Sequence, residues 1–180
     1  CANIKQWKAQ NRQELQVSIN TSPSHYFNLE SNITQWLNLL LDQKISARSI
    51  LLEVTENLLM EANEMVSKKL FQFRQAGVDI ALDDFGTGYS SISYLKRFPT
   101  DFIKIDRSFV KSMTDVSNDK VLCEAIIVMA NKLGIKVVAE GVETQEQYDI
   151  LKSMGCDYAQ GYFIAKPLSK SDFESFWERH

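Results

Sequence analysis

Two adjacent carboxylates, Asp83 and Asp84, stand at the end of the apolar run Val78-Asp79-Ile80-Ala81-Leu82 and are followed by Phe85-Gly86-Thr87-Gly88-Tyr89-Ser90-Ser91. Carboxylates this close repel and raise each other's pKa unless a cation neutralises them. The pair therefore suits either a hard-metal site or a proton-sharing acid/base pair. The glycines let the following backbone adopt dihedrals closed to other residues, as a mobile or closely approached loop requires.

Further functional groups recur at comparable places. Asn20, Glu53 with Glu56, Lys104 with Asp106, Glu140 with Glu143, and Gln160 each lie at or just beyond the end of a short β-rich run. In Leu51-Leu52-Glu53-Val54-Thr55 the alternation of a strand puts Glu53 and Thr55 on one face and Leu52 and Val54 on the other, a charge inside an apolar strand. The same alternation aligns Ser18 with Asn20, Ala81 with Asp83, and Lys104 with Asp106. Taken singly, several have a structural alternative: Asn20 as a cap, Asp106 as the start of a turn, Glu56 and Glu143 as surface or capping groups, Lys104 as a lysine snorkelling from a half-exposed strand. Their coincidence at six strand ends favours a shared site. A donor set of carboxylates and one amide, without histidine or cysteine, indicates Mg²⁺ or Mn²⁺ rather than structural zinc. The two histidines, His25 and His180, occupy no inward strand position, so proton transfer falls to Glu140 or Lys104. There is no GxxxxGK, no GxSxG and no CxxC, and Asp84-Phe85-Gly86 lacks the catalytic-loop context of a kinase.

The elements that must carry these groups alternate in type. The β-rich runs are Leu15 to Asn20, Ser49 to Thr55, Val78 to Asp83, Asp101 to Asp106, Lys136 to Glu140 and Tyr158 to Phe163. Between and after them the spacing predicts helices: Val66, Leu70 and Phe73 on one face, Leu122, Ile126, Met129 and Leu133 on another, and Phe173, Phe176 and Trp177 on the last. Gly77, Gly134 and Gly155 stand where helix C-caps are wanted. Strand–helix alternation implies parallel strands with crossover helices. Six such units are two short of the closed eight-unit barrel, which takes about 250 residues. The fold is then an open doubly wound sheet or a (β/α)₈ barrel whose first units lie outside residues 1–180. An open sheet concentrates its site at one crevice, whereas a barrel gathers every strand end at one mouth, so polar groups on all six strands favour the barrel.

Bulk properties bound the remainder. The chain has 180 residues, 44% apolar and 24% charged, with a net charge of −3, which predicts one globular domain over residues 1–180 and gives no basic face for a DNA or RNA polymer. Cys1, Cys123 and Cys156 imply reduced thiols in a cytoplasmic setting rather than a disulfide framework. No apolar run approaches the roughly 18 residues of a membrane helix. Ile4 and Trp7, one turn apart, suit the tail of a helix belonging to a longer polypeptide.

The ordered set Ser18-Ile19-Asn20-Thr21-Ser22, Glu53-Val54-Thr55-Glu56, Asp83 through Ser91, Lys104 to Phe109, Val138 to Thr144, and Gln160-Gly161-Tyr162 with Pro167 resembles the EAL domain, the bacterial cyclic di-GMP phosphodiesterase module. The resemblance implies a (β/α)₈ TIM-like barrel, here a partial barrel of six βα units, and a two-metal site that cleaves one phosphodiester of cyclic di-GMP to give linear pGpG. It implies metal ligation by Asn20, Glu53, Asp83 and Asp84, with Asp83 as the bridge, and positioning of water or phosphate by Lys104 with Asp106 in support. Glu140 would act as base or complete the metal shell, Gln160 would line the nucleotide side, and Glu56 and Glu143 would anchor loops. A cytoplasmic location is implied, alone or as part of a membrane-attached protein, with a linked sensor or GGDEF domain and a homodimer as compatible partners. The Glu-Ala-Leu triplet that names the family does not occur here, nor does the Arg-containing segment after it. Roughly the last three quarters of the family domain is matched. Activity is expected of the complete domain; the alternatives are an inactive EAL-like module that binds cyclic di-GMP or a protein, and an unrelated metal-dependent barrel enzyme.

Overall fold

A computed structural model describes residues 2–9, 15–22, 24, 26, 33–60, 63–88, 95, 97–114 and 118–179. The chain forms two compact units, Cys1–Lys104 and Ile105–His180.

In the first unit, α1 (Ala2–Ala9) precedes β1 (Val17–Asn20), α2 (Ile33–Asp42) and β2 (Ile50–Thr55). These are followed by α3 (Glu56–Met60), α4 (Glu64–Gln75), β3 (Asp79–Phe85) and β4 (Phe102–Ile105), whose last residue opens the second unit. β1 pairs with β2 and β2 with β3, both parallel, in registers that set Asn20 beside Glu53 and Thr55 beside Asp83. β2 is buried from Ile50 through Val54, as expected of a central parallel strand covered on both faces. The predicted face of α4 is the observed one: Val66, Leu70 and Phe73 are buried, and Asn63 caps the helix through the Val66 N–H at 3.1 Å. This stripe removes apolar area from water and holds α4 to the sheet. At the start of β4, Asp101 ties the strands together: its N–H donates to the Ile80 carbonyl at 2.9 Å, its carboxylate accepts from the Ile80 N–H at 3.0 Å, and Arg74 pairs with it at 2.9 Å.

The second unit continues with α5 (Arg107–Ser112), α6 (Asp119–Leu133), β5 (Lys136–Glu140), α7 (Gln145–Ser153), β6 (Tyr158–Gln160) and α8 (Lys170–Arg179). β5 and β6 are parallel, with Glu140 beside Gln160. Here one expectation is overturned. The buried residues of α6 are Cys123, Ile127 and Ala130, while Leu122 and Leu133 are exposed. The helix is apolar on two sides, and it packs on α5 and β5 through the stripe with the smaller side chains, which allow closer approach. In α8, Phe173 and Phe176 are half-buried and Trp177 is exposed, with the Phe173 and Trp177 rings 5.7 Å apart. The last predicted strand is shorter than expected, ending at Gln160 because 161–164 turn back on the loop after β5. Gly77, Gly134 and Gly155 have φ of +90°, +72° and +82°, the left-handed geometry that ends a helix.

Candidate active site

β2, β3 and β4 each deliver one charged side chain to the same place. The Lys104 ammonium lies 2.9 Å from Glu53 Oε1 and 3.0 Å from Asp83 Oδ1. The three side chains are only 6%, 5% and 14% exposed. Lys104 is therefore no snorkelling surface lysine. Two carboxylates against one ammonium leave a buried net charge of −1, which is costly in a medium less polar than water and favours the approach of a further cation.

Asn20 joins this group through the β1–β2 register. Just past it, Thr21 grips the strand that carries Glu53: its N–H and its hydroxyl both donate to the Glu53 carbonyl, at 3.1 and 2.8 Å. Nothing in the residue types announces that double contact.

Asp84 is exposed and has φ of +56°. Ordinary strand alternation would send Asp83 and Asp84 to opposite faces; a left-handed residue breaks that alternation. The turn is held by the Asp84 N–H on Asp83 Oδ1 at 3.1 Å and by the Thr87 hydroxyl on the Asp84 carbonyl at 2.8 Å. Asp tolerates this region better than most residues, at a cost that persists only where the surroundings enforce it. Glu56, the buried first residue of α3, packs its carboxylate on Gly88, where an added Cβ would lie 3.3 Å from Oε1 and 3.5 Å from Oε2. The start of the glycine loop thus rests on Glu56; residues 89–91 of the motif lie outside the described residues, as do His25, His180 and Cys1.

In the second unit, half-buried Glu140 stands beside exposed Gln160 across the β5–β6 pair. Asp106 caps α5, accepting from the Ser108 N–H at 2.9 Å and from the Ser108 hydroxyl. Burial pushes its carboxyl up, but the Ser108 bonds, the Arg107 N–H and the Arg107 charge outweigh that and hold it below the usual carboxylate range. Glu143 is exposed at the mouth of α7, where Thr144 and Gln147 form a capping box and Gln147 Oε1 also accepts the Glu143 N–H at 2.8 Å. Sequence reasoning missed Gln147, which is buried and donates to the Val110 carbonyl at 3.2 Å; the Thr-x-x-Gln spacing is its legible signal.

Asn20, Glu53, Asp83 and Lys104 thus lie together at strand C-termini of one unit, Asp84 adjoins them in sequence, and Glu140, Gln160 and Asp106 belong to the other. Among the described residues no three Asp, Glu, His or Cys side chains are gathered as a metal cluster; Glu53 and Asp83 both face the Lys104 amine instead. The donors are nonetheless all oxygens around a net negative charge, and they fit a hard divalent cation.

Parallel strands carrying a carboxylate–lysine group near their C-termini define an α/β protein. The EAL domain model matches residues 1–167, and the chain belongs to the EAL domain family. Cyclic di-GMP phosphodiesterase NbdA of Pseudomonas aeruginosa is 37% identical over 98% of this chain and 22% of that protein. The chain spans about a fifth of the length of the first curated relatives it matches, between 19% and 23%. Among solved structures, the PaMucR phosphodiesterase in a c-di-GMP complex superposes with a TM-score of 0.90 at 33% identity, covering 96% of this chain and 70% of that one. A manganese and cyclic di-GMP complex of Klebsiella pneumoniae BlrP1 gives 0.82 at 32% identity, covering 94% and 43%. The fold is accordingly that of the TIM-like EAL domain.

Proposed function

We propose that residues 1–180 act within an EAL domain that hydrolyses cyclic di-GMP to linear pGpG with Mg²⁺ or Mn²⁺. The observation that carries this reading is the buried Glu53–Lys104–Asp83 group with its net negative charge. The names of NbdA and PaMucR, and the manganese in the BlrP1 complex, support the same substrate and cation class.

Asn20, Glu53, Asp83 and Asp84 would hold the ions. When bound, a divalent pair supplies Lewis-acid stabilisation of phosphate charge and lets a doubly anionic substrate enter an acidic site. The chain's own residues do the rest. Lys104 fixes Glu53 and Asp83 and presents positive charge to the phosphate. Glu140 would serve as base for the attacking water: as the water oxygen bonds to phosphorus the bond from phosphorus to the ribose O3′ breaks, and O3′ leaves as a hydroxyl with a proton from solvent, matching the one Glu140 takes from the water. Gln160 contacts the nucleotide, Asp106 steadies the segment after β4, and Glu56 and Glu143 anchor the loops beside the site. A linked sensor or cyclase domain accords with relatives named an oxygen sensor and a bifunctional cyclase/phosphodiesterase; a cytoplasmic setting and a homodimer are parts of the same reading.

The test is incubation with cyclic di-GMP and Mn²⁺, with pGpG read by chromatography. Product that disappears in Glu53→Ala supports the proposal. Tight nucleotide binding without turnover would replace it by a receptor role.

A further inference from the structure

The double grip of Thr21 on Glu53 continues away from the site. Thr21 Oγ1 lies 2.9 Å from the Tyr26 hydroxyl, and Lys69 Nζ donates to the Tyr26 carbonyl at 3.0 Å. Tyr26 is 2% exposed and Lys69 8%. A threonine hydroxyl has a single proton, and here it goes to the Glu53 carbonyl, which can only accept. The Tyr26 hydroxyl is therefore the donor to Thr21, and the direction of the chain is settled: Tyr26 O–H to Thr21 Oγ1, Thr21 O–H to the Glu53 carbonyl.

We propose that Tyr26 and Thr21 are positioning residues for the catalytic centre: the Tyr26 hydroxyl orients the Thr21 hydroxyl onto the Glu53 carbonyl and so fixes Asn20 and Glu53 against each other. Asn20 immediately precedes Thr21 and sits opposite Glu53 in the β1–β2 register, so the clamp closes directly beyond both side chains. It lies just beyond Asn20, where β1 ends, and adds a hydroxyl bond to the backbone bond from the Thr21 N–H. Lys69 fastens the outer end of the relay to α4, a helix seated by three buried apolar residues. Linked hydroxyls polarise one another and fix one geometry rather than several, and here the Tyr26 end of the chain is buried while Thr21 is half-buried. The inference rests on the reading that Asn20 and Glu53 hold a divalent ion, since partners behind a ligand set its orientation and affinity.

The experiment compares Thr21→Val, Thr21→Ser, Tyr26→Phe and Glu53→Ala in the full chain by two readouts. The first is amide exchange at Thr21 followed by NMR without metal. Loss of one hydrogen bond is expected to speed it about fivefold in Thr21→Val and Tyr26→Phe, with Thr21→Ser close to the parent. The second is Mn²⁺ affinity measured by paramagnetic resonance of the free ion, expected to weaken about tenfold in Thr21→Val and Tyr26→Phe. A protein carrying both Thr21→Val and Tyr26→Phe is expected to bind Mn²⁺ no more weakly than the worse single variant, because both changes cut the same relay. Unchanged Thr21 exchange overturns the proposal, as does unchanged Mn²⁺ affinity in these variants while Glu53→Ala loses the ion. If exchange accelerates but Glu53→Ala still binds Mn²⁺ normally, the clamp stands and the metal reading of Glu53 is what fails. Should Tyr26→Phe not fold, the Thr21→Val and Thr21→Ser pair decides alone.

Discussion

Gly161 lies directly on the backbone of Val142: a Cβ added there would come 2.1 Å from the Val142 carbonyl oxygen and 2.4 Å from its nitrogen. The contact is reinforced on both sides, with the Val142 N–H on the Gln160 carbonyl and the Phe163 N–H on the Val142 carbonyl, each at 3.0 Å. No side chain can yield to relieve it. Gly161→Ala is therefore expected to destabilise the protein by about 1–3 kcal/mol, since overpacking against backbone forces the two loops apart. Urea unfolding checks this, and the midpoint should fall without a change in slope.

Lys104→Met leaves buried Glu53 and half-buried Asp83 without the ammonium that pairs with both. Removing one partner of a buried ion group costs about 3–5 kcal/mol, so the thermal midpoint should drop sharply in metal-free buffer. Added Mn²⁺ should raise the variant's midpoint by more than the parent's, because the ion then supplies the missing positive charge. Thermal scans with and without Mn²⁺ decide the matter; equal shifts in both proteins would count against the arrangement.

At Asp84 the backbone conformation and the carboxylate can be separated. Asp84→Ala puts a residue with no side-chain hydrogen bond into the left-handed region and is expected to lose about 1 kcal/mol. Asp84→Gly should be neutral or slightly stabilising, because glycine meets that φ freely. Both variants remove the same carboxylate, so under the proposed function both should lose Mn²⁺-dependent cyclic di-GMP turnover while their unfolding midpoints diverge.

The two described cysteines are protected by their surroundings. Burial is the main cause that pushes the Cys123 thiol up to about 12 and the Cys156 thiol up to about 11. At pH 8 a thiol with a value near 11 is about 0.1% thiolate, against about a quarter for an ordinary one near 8.5. Iodoacetamide labelling of both sites, followed by peptide mass spectrometry, should be at least about a hundredfold slower than for a free thiol. Unfolded thiols ionise from about pH 8.5 while the native ones stay neutral. Their stabilising contribution is thus complete below that pH and fades as pH rises toward 11 and 12.

Much of this architecture is legible in the chain because strand ends bearing Asn20, Glu53, Asp83, Lys104, Glu140 and Gln160 break apolar runs at regular places, and a charge inside such a run has few explanations. The α4 stripe was equally plain, since Val66, Leu70 and Phe73 recur at helical spacing while Phe71 stands off that face. α6 was not: Leu122, Ile126, Met129 and Leu133 make as good a period as Cys123, Ile127 and Ala130, and spacing cannot choose between two stripes. Three features depend on backbone rather than residue type, namely the left-handed Asp84 and the Thr21 grip on Glu53 in the first unit and the seat of Gly161 on Val142 in the second. Only their small or polar residues hint at them. Lys104 stood open to a surface role until its distances to two carboxylates were known.

Those distances bear on how the molecule comes into being. A small zinc domain stays unfolded until its metal arrives, because nothing else answers the charge of its ligands. Here a lysine from the neighbouring strand already answers one of two carboxylates, so the strands that carry the group can close on one another without an ion between them. Under the proposed metal reading, ion supply would govern when such a protein works rather than whether it folds.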